Sequence, residues 1–393
     1  MRLLLRPSWP ALIVSALLAA CTPPQPPPPV VAAPPVVPAP PAQRTLQAVD
    51  FTALDGWQTD DLAAALPALK TSCDKIVEMS PTQPIGRDGL GGLAGDWLGP
   101  CGALRAIPED DGAAIRAYFV QWFQPYRVGD GAKTQGLFTG YYEPELKGAR
   151  KPDARFRYPL LSPPPNLPHG RQLSDPPYYT RAEIEAGALK GQAAPLVWID
   201  DAVDLHILQI QGSGRVVLGD GTVLHVHYAG DNGWPFVGIG KVLIERGKLP
   251  PGGGNMVAAR NWLKAHPDEA PGLMAANPRY VFFRFEKAGP IGAEGVVLTS
   301  GRSLAVDPRY IPLGAPVWLQ SADGTGHPLQ RLFVAQDTGS AITGVVRGDV
   351  YWGSGEAAFQ QAGLMRSTGS YFLLLPRTRG APLVALPSAA MVG

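Results

Sequence analysis

Val334-Ala335-Gln336-Asp337-Thr338-Gly339 and Arg347-Gly348-Asp349-Val350-Tyr351-Trp352-Gly353 are the stretches whose reading decides the fold. The first places an acid at the end of an apolar strand, just before a glycine turn. The second, twelve residues on, places an acid at the start of an aromatic strand. An acid at a strand end is well placed to project into a groove. Burial and a neighbouring carboxylate raise an acid's pKa and keep it protonated near neutral pH. Breaking a glycosidic bond needs such a group, to protonate the leaving oxygen. Trp318, Tyr351 and Trp352 offer flat faces for sugar rings. An equally open reading makes both acids turn caps and the aromatics core.

Outward from these stretches the strand grammar continues. Leu137 to Tyr142, Val216 to Tyr228, Tyr280 to Phe285 and Val296 to Thr299 are expected strands, with a hairpin turn at Gly219-Asp220-Gly221. Further strands are expected at Pro316 to Leu319, Leu332 to Ala335 and Tyr371 to Leu375. Helices are expected after Asp60-Asp61, at Ala113 to Phe123 behind Asp111, at Thr180 to Leu189, at Val237 to Arg246 and at Met256 to Ala265. The fold class is therefore mainly β with peripheral helices, built on a barrel-like core.

Two central segments carry sugar-groove chemistry. Gln209-Ile210-Gln211-Gly212-Ser213-Gly214 sets amides on alternating positions before small residues, and Tyr228-Ala229-Gly230-Asp231-Asn232-Gly233-Trp234 groups aromatics with polar side chains. Amides beside aromatics suit hydroxyl and acetamido groups, although as turns alone these segments are unremarkable. His206, His225 and His227 lack an acid or third ligand spaced to complete a metal site, so neither metal nor cofactor is expected. An aspartic protease is excluded, because a second Asp-Thr-Gly or Asp-Ser-Gly is missing.

At the N-terminus, Arg2 and Arg6 precede an apolar run that ends Leu18-Ala19-Ala20-Cys21. This is the pattern of a secretory signal over 1–20, too short to span a bilayer. The cysteine after small residues makes it a lipobox, with Cys21 the lipidated residue. Residues 21–43 are dominated by Pro, Ala and Val, a semi-rigid extended tether. In an oxidising compartment the remaining pair, Cys73 and Cys101, is expected to form a disulfide. The net charge of +1 shows no nucleic-acid footprint. The low charged fraction of 17% suits an uncharged polymer better than a phosphate site.

Taken in order, Thr139-Gly140-Tyr141-Tyr142, Arg181-Ala182-Glu183-Ile184, Gln211-Gly212-Ser213-Gly214, Tyr228-Ala229-Gly230, Ile239-Gly240-Lys241-Val242-Leu243-Ile244, Asn277-Pro278 and the acids Asp307, Asp337 and Asp349 resemble the membrane-bound lytic murein transglycosylase A (MltA) family. The resemblance implies a double-psi β-barrel over 44–142 and 281–393, containing the three-aspartate module. A second β domain would be inserted at 143–280, with a glycan groove between the two. It implies an exo-acting lytic transglycosylase, a carbon–oxygen lyase. The β-1,4 bond between N-acetylmuramic acid and N-acetylglucosamine would be cut without water, leaving 1,6-anhydro ends. The catalytic acid carries over to Asp349, with Asp337 supporting it and Asp307 structural. Substrate contacts are expected from Thr139, Tyr141, Tyr142, Gln211, Gly212, Ser213, Tyr228, Ala229, Asn232 and Trp352. Expected partners are peptidoglycan strands, the outer membrane through the lipid anchor at its periplasmic face, and murein synthases or scaffold proteins. Nucleic acid is not among them. Two rivals stay open: a non-catalytic wall-binding lipoprotein, and a hydrolytic muramidase using Asp337 and Asp349 as a pair.

Overall fold

The structure, a computed structural model, describes residues 43–168 and 178–377. The signal segment, Cys21 and the tether up to residue 42 lie outside the described residues. In chain order the strands are β1 (Arg44–Ala48), β2 (Phe123–Asp130), β3 (Gly136–Glu143), β4 (Glu145–Ala149) and β5 (Tyr158–Leu161). They continue as β6 (Pro195–Ile199), β7 (Ser213–Leu218), β8 (Val223–Asp231), β9 (Val281–Glu286) and β10 (Ser303–Val306). The last four are β11 (Pro316–Ala322), β12 (Pro328–Asp337), β13 (Arg347–Ser354) and β14 (Arg366–Pro376).

Six strands close a ring in the order β14-β11-β12-β10-β13-β3, because β3 pairs with β14 as well as β13. Two pairs in the ring, β10 with β12 and β13 with β3, are parallel; β1 and β2 extend the sheet outward from β14. The chain leaves the ring after β3 and builds a second six-stranded sheet, β5-β6-β4-β7-β8-β9, before returning to β10. The fold is thus mainly β, a closed barrel of the double-psi kind with a second β sheet inserted between its strands.

The helices are minor and sit outside the sheets. They are α1 (Leu66–Val77), α2 (Ala94–Leu104), α3 (Gly112–Trp122), α4 (Arg181–Glu185), α5 (Ala202–Gln211), α6 (Ile239–Glu245), α7 (Met256–Ala265), α8 (Ala270–Met274) and α9 (Gly355–Leu364). The apolar stretch Leu332-Phe333-Val334-Ala335 is buried throughout, which explains its lack of alternation: one face fills the barrel and the other is covered. Part of that cover is α1, tied on by the buried Gln336 amide, which donates to Ala68 O and Ser72 Oγ, 2.9 Å each. Cys73 on α1 and Cys101 on α2 are joined by a disulfide with Cα atoms 5.4 Å apart.

Several local expectations are corrected. Val296 to Thr299 forms no strand; the stretch makes one bridge, Ile291 with Val297. Its neighbours' N–H groups serve β12 instead, Glu294 donating to Gln336 O and Ala293 to Asp337 Oδ1. Asp60-Asp61 does not cap a helix. A 3-10 turn, Leu62–Ala65, intervenes before α1, and Asp60 forms a buried fork with Arg302 at 2.8 and 2.9 Å. The helix after Thr180 stops at Glu185, although Thr180 and Glu183 cap it reciprocally. Gln209 and Gln211 lie on α5, so their side chains do not alternate along a strand. Trp318 is fully buried in the core, edge-on to Trp57 with centroids 5.1 Å apart, and offers no face to a ligand.

Candidate active site

Strand register brings the two acids into one row. Ala305 of β10 is paired on one side with Asp337 of β12 and on the other with Asp349 of β13. Asp349 is in turn paired with Thr139 of β3, and Thr139 with Arg366 of β14. Strands lie about 4.8 Å apart, so the two acid backbones stand about 10 Å apart, and laterally paired side chains share a face. The small Ala305 between them is itself buried, while both acids are only partly covered.

Asp349 has few partners. Its Oδ1 accepts from the Thr139 hydroxyl at 2.5 Å. Its surface is only partly covered, as a group that must meet substrate requires, yet protein surrounds it densely. Burial pushes its carboxyl up to about 6; Thr139 and the Arg347 guanidinium restrain the rise, and the Asp337 charge adds to it. Asp337 is also pushed above the usual carboxylate range by burial. It is held in place by three donors: Tyr141 Oη to Oδ2 at 2.8 Å, with Ala293 N–H at 2.9 Å and Thr338 N–H at 2.8 Å to Oδ1. Tyr141 is raised far above its ordinary value, by burial first and then by Asp337. One acid is thus fixed and saturated, while its neighbour is left with a free oxygen near neutrality.

Alternation along β3 and β13 sorts the remaining residues. Thr139 and Tyr141 share the face of Asp349, and Tyr141 meets Tyr351 with ring centroids 5.3 Å apart. Tyr142 turns the other way into the helical cluster, against Phe359. Trp352 packs against both the barrel core and this helical cluster and stays partly exposed. A Cβ on Gly140 would stand 2.7 Å from the Trp352 ring and 2.8 Å from Ala362; glycine there lets α9 seat on the strands. Tyr351 is therefore the aromatic that β13 shares with Asp349, within electrostatic reach of Arg215 on β7.

The insert residues are brought together, for the most part by backbone. Gly212 ends α5 in the left-handed region at φ 82°, and its carbonyl accepts from Tyr228 N–H at 2.7 Å. Ser213 pairs with His227, and Ala229 lies where the β8 register with β9 shifts. Gln211 Oε1 accepts from Tyr142 N–H at 3.1 Å, which docks α5 on β3. The Tyr228 hydroxyl donates to Asp231 at 2.7 Å, and Arg279 links Asp231 (2.8 Å) to Ser340 (3.2 Å), from the insert to the loop after Asp337. Asn232 serves the scaffold. Its amide donates to Tyr179 O and Pro278 O at 2.8 Å each, and its oxygen accepts from Tyr280 N–H at 2.9 Å. Asp307 is buried and paired with Arg309, away from the row. Two residues were absent from the expected contacts: Ala293, which acts through its N–H and so leaves no side-chain signal, and Arg347, whose position two before Asp349 on a strand was the available clue.

Comparison with known proteins gives the family. Residues 137–284 match the MltA specific insert domain, and residues 302–375 match the 3D domain, which contains all three acids. A membrane-bound lytic murein transglycosylase A of Vibrio cholerae is 38% identical over 284 residues, covering 68% of this chain and 72% of that protein. The chain belongs to the MltA family. Among solved MltA-type structures, the membrane-bound lytic murein transglycosylase from Agrobacterium tumefaciens is similar with a TM-score of 0.74 at 34% identity, covering 85% of this chain and 98% of the other. E. coli MltA with bound chitohexaose gives 0.64 at 30% identity, covering 80% and 90%. The match to the MltA insert begins in β3 and ends in β9, the strands flanking the excursion from the barrel.

Proposed function

We propose that this MltA-family chain is a peptidoglycan lytic transglycosylase in which Asp349 alone serves as acid and then base. Protonated Asp349 donates to the glycosidic oxygen between N-acetylmuramic acid and N-acetylglucosamine. The resulting carboxylate takes the proton of the muramic acid 6-hydroxyl as that oxygen bonds to C1, giving the 1,6-anhydro product. An intramolecular nucleophile needs no positioned water, so one acid suffices where hydrolases use two. The observation that carries this reading is the contrast within the row. Asp349 has a carboxyl raised to about 6 and one hydrogen-bond donor, whereas Asp337 has three donors and no oxygen left idle. Asp337, with Tyr141, supports Asp349 by its charge. The glycan is proposed to lie along Thr139, Tyr351 and the Gly212–Tyr228 corner; the chitohexaose bound by the E. coli relative supports a sugar polymer as ligand.

The rest of the arrangement is proposed on the sequence. Residues 1–20 are removed as a signal, Cys21 carries the lipid, and 21–43 tether the barrel (44–142 and 281–393) with its insert (143–280) to the periplasmic face of the outer membrane. The lipobox and the relatives' description as membrane-bound support this. Digestion of purified sacculi followed by product mass tests the reaction: anhydro ends are expected, and their loss in Asp349→Asn. Products heavier by one water would replace this reading with a hydrolytic muramidase, and binding without release would leave a wall-binding lipoprotein.

A further inference from the structure

We propose that Arg347 is a positioning residue that selects which oxygen of Asp349 carries the proton, acting through the Thr139 hydroxyl. The inference rests on Asp349 being the acid. Arg347 stands two residues before Asp349 on β13, so both side chains lie on one face. β3 runs parallel beside them, with Leu137 opposite Arg347 and Thr139 opposite Asp349. The guanidinium is held in one pose, donating from Nη1 to Leu137 O at 3.2 Å and to Gly348 O. Its Nη2 then reaches Thr139 Oγ1 at 2.8 Å.

A guanidinium only donates, whereas a hydroxyl has one hydrogen and lone pairs to accept with. Thr139 therefore accepts on the Arg347 side and directs its single hydrogen to Asp349 Oδ1, 2.5 Å away. An oxygen that already receives a donor is the poorer home for a proton, so the acid proton is carried on Oδ2. Without Arg347 the hydroxyl is free to turn and accept from a protonated Oδ1. The proton then has two homes, one of them turned away from substrate. The same freedom favours the neutral acid, because a hydroxyl that switches role stabilises the protonated form too.

Other groups face Asp349 and Arg347 from the strands around them. They are Asp337 from β12 and Tyr141 from β3, while Arg366 of β14, paired with Thr139, acts on Arg347, and β10 contributes the uncharged Ala305. None of these is altered in the following cycle, so their contributions cancel in it. The alkaline limb of kcat/KM on soluble peptidoglycan fragments reports the free enzyme's acid. It is measured for the full chain, Arg347→Met, Thr139→Val and the double variant. Arg347→Met should move the limb upward by about one pH unit, and this displacement should fall by at least half in the Thr139→Val background but persist in a Thr139→Ser background, which keeps the hydroxyl. Equal displacement by Arg347→Met in both backgrounds would overturn the relay, since a guanidinium acting by charge alone needs no hydroxyl. Should Arg347→Met not fold, judged by thermal unfolding, Arg347→Lys runs the same cycle, keeping the charge while losing the fork. Asp349→Asn separates the two claims: an active Asp349→Asn removes the acid assignment, whereas an inactive one with no coupling removes only the relay.

Discussion

Asp307, just past the end of β10, and Asp349, within the adjacent strand β13, have surroundings that prepare them for opposite tasks. Val306 at the end of β10 is paired with Gly348, so the two acids start from neighbouring rungs of the sheet. Asp307 accepts from Arg309 Nε at 2.9 Å, Arg309 Nη2 at 2.6 Å, Arg309 N–H at 3.1 Å and Gly344 N–H at 2.8 Å. Burial pushes its carboxyl up, but these donors outweigh burial and hold it below the usual range. Among the described residues Asp349 has the Thr139 hydroxyl as its one hydrogen-bond donor, and there burial wins. Donors and burial act together here: the four donors of Asp307 prevail where surrounding protein is less dense, whereas dense surroundings prevail at Asp349 and, despite three donors, at Asp337. Asp307 fixes a loop, and Asp349 is available for chemistry.

The largest effect expected from this contrast is in turnover. Asp349→Asn should lower anhydro-muropeptide release by about 10³-fold or more, in the range of a lost general acid. Asp307→Asn, assayed per folded molecule, should change release far less. Equal losses from both would erase the distinction. Next comes stability. Asp307→Asn breaks a charge-assisted fork at a buried position and should cost about 2–3 kcal/mol in urea unfolding at neutral pH. Because the folded carboxyl of Asp307 is depressed, its stabilisation is present above the ordinary carboxylate pKa and is lost as pH falls through the folded value. The deficit of the variant should therefore shrink in acid.

The opposite sign is expected at the active site. The carboxyl of Asp349 is raised to about 6, so its stabilisation is fully present below the ordinary carboxylate pKa and lost as pH rises through about 6. Asp349→Asn should therefore be more stable than the unaltered chain by about 1–2 kcal/mol near pH 8, a figure reduced for the partly open face. Near about pH 4 the gain should vanish. A variant destabilised at both pH values would mean that Asp349 is a structural acid like Asp307. The smallest effect concerns Tyr141. Tyr141→Phe removes a donor from Asp337, so Asp337 becomes neutral at higher pH and weakens its push on Asp349. The alkaline limb of activity should move down by less than about one unit, with roughly a tenfold loss in kcat/KM. A limb that does not move would uncouple the two acids.

Most of the barrel was legible in the chain, for identifiable reasons. Leu332 to Ala335 is apolar without alternation because both its faces are covered, and its acid comes at the strand end, where cover stops. The turn at Gly219-Asp220-Gly221 and the cap at Asp111 depend on a few adjacent residues. The failures share another cause. Val296 to Thr299 has strand composition, but its own backbone bonds stay local, Leu298 N–H to Pro290 O and Gly292 N–H to Val296 O. The cause is that the residues just before it, Ala293 and Glu294, are drawn to Asp337 and Gln336 about forty residues away. Asp60 looks like a cap and is an ion-pair partner of Arg302, 242 positions on. Asn232 looks like a sugar contact, yet its amide is taken by three backbone groups of the insert.

What the sequence determined by itself is whatever neighbours along the chain enforce: strand periods, turns, the acid at the end of β12 and the acid within β13. The tertiary structure alone decided which residues of β13 share a face with Asp349, hence Arg347 and Tyr351, and which acid is held by three donors. Alternation states that two residues point apart without stating what each will meet. A carboxylate's proton affinity depends on donors brought in from β3 and from the loop before β10, and those arrive only when the barrel closes.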